Sequence, residues 1–77
     1  MKKYYSLVVS VLDENGNRIE TYEIAGSSNK KEILAEREEL DKEIANGKYD
    51  SFNMKNCALD AEIEVHNDDT WELLYIM

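Results

Sequence analysis

The chain has no proline, three glycines, one cysteine and one histidine among its 77 residues, and no lysine or arginine after position 55. Each shortage closes off a class of function. A single cysteine cannot make an internal disulfide, a CxxC redox pair or a four-cysteine metal site, and it points to a reducing, cytoplasmic setting. Three scattered glycines build no glycine-rich phosphate loop. No stretch approaches the ~20 consecutive apolar residues of a membrane-spanning helix. Nine basic against seventeen acidic side chains give a net charge of −8. That balance disfavours direct contact with nucleic acid or an anionic membrane, whose phosphates are held mainly by Lys and Arg, and favours another protein with a basic surface.

With 43% hydrophobic residues, the chain is apolar enough to fold as one small domain, residues 1–77, burying roughly 60 to 65% of its unfolded surface. The start, Met1-Lys2-Lys3 and then an apolar run to Leu12, superficially resembles a signal peptide. Ser6 and Ser10 interrupt the run, however, and the polar residues 13–17 stand where small cleavage-site residues are needed. A strand fits better, because Tyr5, Leu7, Val9 and Val11 alternate with Tyr4, Ser6, Val8 and Ser10. Asn15-Gly16 then predicts a two-residue hairpin turn, setting Val9 opposite Tyr22, Leu7 opposite Ile24 and Leu12 opposite Ile19.

From Asn29 the period changes. Asn29 and Glu32 fit a helix N-cap and its reciprocal partner, so a helix starts near Lys30, with Ile33, Leu34, Leu40, Ile44 and Ala45 on one side and Gly47 as the left-handed residue that ends it. Residues 48–56 have no clear period, and Tyr49, Phe52 and Met54 either cap the core or belong to a loop. From Cys57 the apolar Cys57, Leu59, Ala61, Ile63 and Val65 alternate with Ala58, Asp60, Glu62, Glu64 and His66, which predicts a strand with one wet face. Asn67-Asp68-Asp69 turns the chain into a last strand over residues 70–77, with Val65 opposite Trp71 and Ile63 opposite Leu73.

The expected fold is therefore α+β: a ββαββ order, with a four-stranded sheet covered by the helix on one face. The element order resembles the minimal β-grasp layout, and the continuously apolar residues 7–9 and 73–76 favour a sheet order 2-1-4-3 with first and last strands central. The antiparallel order 2-1-3-4 is the alternative. In either case the face away from the helix has no cover and carries Tyr4, Val8, Leu12, Ile19, Leu74 and Ile76 among acidic side chains. Apolar residues ringed by acids suit a contact surface, although solvated sheet faces with scattered apolar residues are also common.

Six acids and no base fall in residues 56–77, net −6, against net −2 for residues 1–55. Asp60, Glu62 and Glu64 point the same way at steps of roughly 7 Å, a row that could imitate a phosphate backbone. The bland reading is charge that keeps a small protein soluble. His66 shares its side with Glu64, but no nucleophile or second histidine accompanies it, and it reads as a surface residue. Cys57 faces inward, away from His66. Asp13, Asn15 and Asn17 suit a turn better than a calcium loop, since Arg18 stands where such a loop needs glycine. No catalytic residue, metal or cofactor is expected.

In size and charge the chain resembles small acidic proteins of phages and mobile elements, anti-CRISPR proteins among them. That resemblance implies a non-catalytic module that inhibits a nucleic-acid-binding protein. The partner-binding residues expected on this reading are Asp60, Glu62, Glu64 and Glu72, with Leu74 and Ile76 as apolar anchors. The alternative is a structural homodimer, or a subunit of a larger assembly, that uses the uncovered sheet face.

Overall fold

A computed structural model describes residues 2–52 and 57–77. Strands β1 (Lys3–Leu12) and β2 (Arg18–Ser27) precede helix α1 (Lys30–Ala45), a single 3-10 turn (Asp50–Phe52), and strands β3 (Ala58–Asn67) and β4 (Leu73–Ile76). The four strands form one antiparallel sheet in the order β2-β1-β3-β4. The expected 2-1-4-3 order, with its parallel centre and β-grasp likeness, is thus not adopted. Strand length explains the outcome: β3 and β1 pair without interruption from Lys3 opposite Asn67 to Leu12 opposite Ala58, whereas the four residues of β4 would leave much of a ten-residue neighbour's backbone unpaired.

The core lies between α1 and one face of the sheet. Tyr5, Leu7 and Val9 of β1 and Ala61, Ile63 and Val65 of β3 meet Ile33 and Leu40 of α1, with Ala25, Ile44, Tyr49, Leu59, Leu74 and Met77 packed around them. Tyr49 thus belongs to the core margin, while Met54 lies outside the described residues.

Both ends of α1 follow from named side chains. Asn29 Oδ1 accepts the Lys31 and Glu32 amides at 3.0 and 3.3 Å, which satisfies two of the amides a helix start leaves without partners. The reciprocal half of the expected capping box is carried by Ser27, whose Oγ accepts the Asn29 amide at 2.9 Å and donates to Glu32 Oε2 at 3.4 Å. At the other end Gly47 has φ +85°, with Gly47 N donating to the Ile44 carbonyl and Lys48 N to the Glu43 carbonyl. This is the paired-bond ending that favours glycine.

The first hairpin departs from the expected two-residue turn. Asp13 N donates to the Asn17 carbonyl and Gly16 N to the Asp13 carbonyl, with Gly16 at φ +85°, so three residues form the loop and Leu12 faces Arg18 rather than Ile19. A register shift past Ile19 restores the expected Val9–Tyr22 pair, and a second past Ile24 sets Leu7 opposite Ala25. Each shift inserts one unpaired residue and reverses which face its neighbours present. The first shift decides the chemistry of the open face, because it turns Arg18 away from the helix.

Candidate functional site

The sheet face away from α1 is formed by Tyr4, Ser6, Val8, Ser10 and Leu12 of β1, with His66, Glu64, Glu62, Asp60 and Ala58 opposite them on β3. It was expected to lack cover, yet β1 is buried without a break over residues 5–11, and Val8 on this open side is only 2% exposed. The cover is a lattice of polar side chains. Arg18 reaches from β2 across β1 to β3: its Nε lies 2.8 Å from Glu62 Oε1 and its Nη2 2.9 Å from Glu64 Oε2. Beneath it the buried Ser10 hydroxyl donates to Glu62 Oε1 and accepts from Arg18 Nε at 3.2 Å. Ser6, also buried, donates to Glu23 of β2. The Arg18, Glu62 and Glu64 side chains are 24%, 20% and 19% exposed, so the charges are partly withdrawn from water and screened less than surface pairs.

The row Asp60, Glu62, Glu64 is therefore not three equivalent free carboxylates. Two share one arginine, which offsets one of their two charges, while Asp60, opposite Ser10, remains exposed.

At its far end the lattice passes to aromatic groups. His66 is buried at 7%, not a surface residue, with Nε2 at 3.2 Å from Glu64 Oε1 and Nδ1 at 3.2 Å from the Trp71 carbonyl oxygen. The Trp71 ring lies flat on the imidazole, with centroids 4.4 Å apart and planes 9° apart, and meets Tyr4 at 5.0 Å. Tyr4 in turn occupies the space a side chain at Gly26 would need. Trp71 has φ 62°, a left-handed backbone that a bulky residue adopts only at a cost. Its origin is the turn: Asn67 Oδ1 accepts the Asp69 and Thr70 amides, Trp71 N donates to the Asn67 carbonyl at 2.8 Å, and Asn67 N donates to the Glu72 carbonyl at 2.9 Å. The chain makes a helical turn and must reverse hand at Trp71 to enter β4.

This four-residue loop changes the expected register of β4. Leu73 faces His66, Tyr75 faces Val65 and Ile76 faces Glu64, with a shift between the first two pairs. Trp71 and Leu73, expected against the helix, lie on the open side. Leu74, expected as an open-face anchor, packs against the core. Ile76 is on the open face and 41% exposed. Glu72 is exposed beside Trp71.

No family model matches the chain, and neither a curated protein nor a solved structure matches it.

Of the seven large hydrophobic side chains exposed among the described residues, four (Trp71, Leu73, Tyr75 and Ile76) fall within six consecutive positions at one sheet edge. That edge also has backbone to offer. Ile63 and Met77 exchange both of their amide bonds, so the alternation of an antiparallel ladder turns the Ile76 N–H and C=O away from β3. The opposite edge, β2, carries Arg18, Glu20 and Glu23 and two register shifts, the usual protection of an edge strand.

A concavity of about 270 Å³ lies between α1 and the sheet, lined by Leu7, Ile24, Ala25 and Leu40 and by Glu36, Glu39 and Glu43. Two of its acids already have partners, since Glu39 lies 3.6 Å from Lys42 and Glu43 pairs with Lys48. Among the described residues no group of three or more His, Cys, Asp or Glu could hold a metal ion, and no helix is long and apolar enough to cross a membrane. Cys57 is free and half-buried just ahead of β3.

Proposed function

We propose that the chain is a non-catalytic protein-binding module whose docking surface is the β4 edge with Trp71, Leu73 and Ile76. The concentration of exposed apolar side chains on this one edge carries the reading, because small domains seldom leave such residues grouped in water without use. The occupant we propose is an extended segment of a partner protein, adding as a strand to β4 and carrying basic side chains beside apolar ones. Main-chain bonds to the outward Ile76 groups give such a strand its register, and the apolar side chains give it affinity. Charge complementarity argues for the basic character: Asp60, Asp68, Asp69 and Glu72 are all exposed on the last hairpin or its strand, and residues 56–77 contain no base. Glu62 and Glu64 are not assigned to the contact, since Arg18 occupies them.

The test is an NMR titration of the isotope-labelled protein with a synthetic peptide of alternating lysine and isoleucine, and with its glutamate counterpart. The lysine peptide is expected to shift the Trp71 indole and the amides of residues 73–76 and to slow hydrogen exchange at Ile76, while the glutamate peptide does neither. Asp60→Lys with Glu72→Lys should weaken the lysine peptide without altering the fold. Shifts centred on α1, equal response to both peptides, or no response would overturn the reading. Sedimentation showing a stable dimer through β4 would also overturn it and give the edge to a second copy.

A further inference from the structure

We infer that His66 is a proton-operated clasp on Trp71, which fixes the proposed docking surface when the imidazole carries two ring protons and loosens it when the ring carries one. The consequence for binding rests on the function proposed above; the clasp itself rests on hydrogen-bond chemistry. Each ring nitrogen lies 3.2 Å from an oxygen that has no proton to give, Nδ1 from the Trp71 carbonyl and Nε2 from the Glu64 carboxylate. A neutral imidazole has one N–H and one lone pair, so in that form one of the two contacts sets lone pair against lone pair. Only the imidazolium donates to both.

The stacking points the same way. The indole covers the imidazole at 4.4 Å and 9°, and the face of a tryptophan attracts a cation. Trp71 also needs holding, since its φ of 62° is an unfavourable backbone for its side chain. A bond from Nδ1 to that same residue's carbonyl ties down the peptide group that follows the unfavourable angle. The charged and titratable groups around the ring are few. Glu64 accepts from it, Arg18 of β2 holds the other oxygen of Glu64 and also Glu62, and Tyr4 faces it from β1. Asp68, Asp69 and Glu72 lie in the turn and the approach to β4, and that strand sets the uncharged Leu73 opposite. Histidine is the side chain whose ordinary titration falls between about pH 5 and 8.

The sequence makes the experiment clean, because the chain has one histidine and one tryptophan. The full chain is titrated through that range, following the His66 ring protons by NMR and Trp71 by fluorescence and its indole resonance, with far-UV circular dichroism to monitor the fold. The expected result is a single-proton change in Trp71 emission whose midpoint coincides with that of the His66 ring, and its loss in His66→Phe, which keeps a ring to stack but has no ring N–H. A Trp71 signal that stays flat through the His66 transition, or a transition that persists in the variant, would overturn the clasp. If the variant fails to fold, the wild-type comparison still decides, since different midpoints for the two residues refute the coupling. Binding of the lysine–isoleucine peptide should weaken as pH rises through the same midpoint. A coincident His66 and Trp71 transition with no peptide bound at any pH would sustain the clasp and overturn the docking reading.

Discussion

Replacing Arg18 by methionine tests whether the polar lattice on the open face holds the sheet together or merely decorates it. The change keeps a long apolar stem and removes the charge that bridges Glu62 and Glu64. A unit-charge pair at 4 Å with an effective dielectric constant of 20 is worth about 4 kcal/mol. Two such pairs, less about 2 kcal/mol of repulsion between carboxylates about 7 Å apart, give a gross attraction of about 6 kcal/mol, most of which is offset by withdrawing the three groups from water. The expected net loss for Arg18→Met is about 2 to 3 kcal/mol, between the ranges for exposed and buried pairs whose partner is removed. With a urea dependence of about 1 kcal/mol per molar for a small domain, the unfolding midpoint should fall by about 2 to 3 M. The triple variant Arg18→Met, Glu62→Gln, Glu64→Gln should recover most of that loss, because the amides keep their hydrogen-bonding capacity without the repulsion. A loss under about 0.5 kcal/mol would place the pair with ordinary surface ion pairs and refute the lattice as a cover. A triple variant no more stable than Arg18→Met would refute repulsion as the reason.

Two further outcomes follow from the turn and from the aromatic end. The Asn17 amide, helped by that of Asn15, holds the Asp13 carboxyl below its ordinary range. Its contribution to stability is present above the ordinary aspartate value and is lost as pH falls through the lowered one, so urea midpoints of the wild type and Asp13→Asn should converge in acid and separate toward neutral pH. Gly26→Ala would place a methyl group 1.8 Å from the Tyr4 hydroxyl oxygen, so the Tyr4 ring must move off Gly26 and its contact with Trp71 must change. Near-UV circular dichroism and Trp71 emission should change while the far-UV spectrum does not, and unaltered aromatic signals would contradict the seating of Tyr4 on Gly26.

The elements of the fold were legible because their signals are local: strict alternation for β3, the Asn29 cap and Gly47 for the limits of α1, the polar turn after β1. Sheet order was not, since residues 73–76 form an apolar run that reads as a strand covered on both sides and instead lies at the edge. The open face was misread for a related reason. Its alternation was plain, but its cover depends on Arg18, and only a register shift past Ile19 brings that side chain to this face. Nothing in the spacing of residues 15–22 announces an inserted residue. The aromatic partner of His66 was equally hidden, because a four-residue loop with a left-handed tryptophan was read as a three-residue loop. The one available hint was compositional: Arg18 is the only base in either strand of the first hairpin beyond Lys3, and it stands opposite a surplus of acids.

The unbroken pairing of β1 with β3 also orders events in time. The most enclosed segment of the molecule, residues 5–11, receives one neighbour from β2 within a few residues and the other only when residues 58–67 exist to pair with it. A nascent chain that has emerged only as far as α1 presents β1 with one bare backbone edge and an acid-free apolar face, and it must wait for the last quarter of the sequence to close both. Contacts between such distant parts of a chain form slowly compared with helical ones. Enclosure of β1 is therefore a late step in folding, reached only when β3 has paired along its whole length.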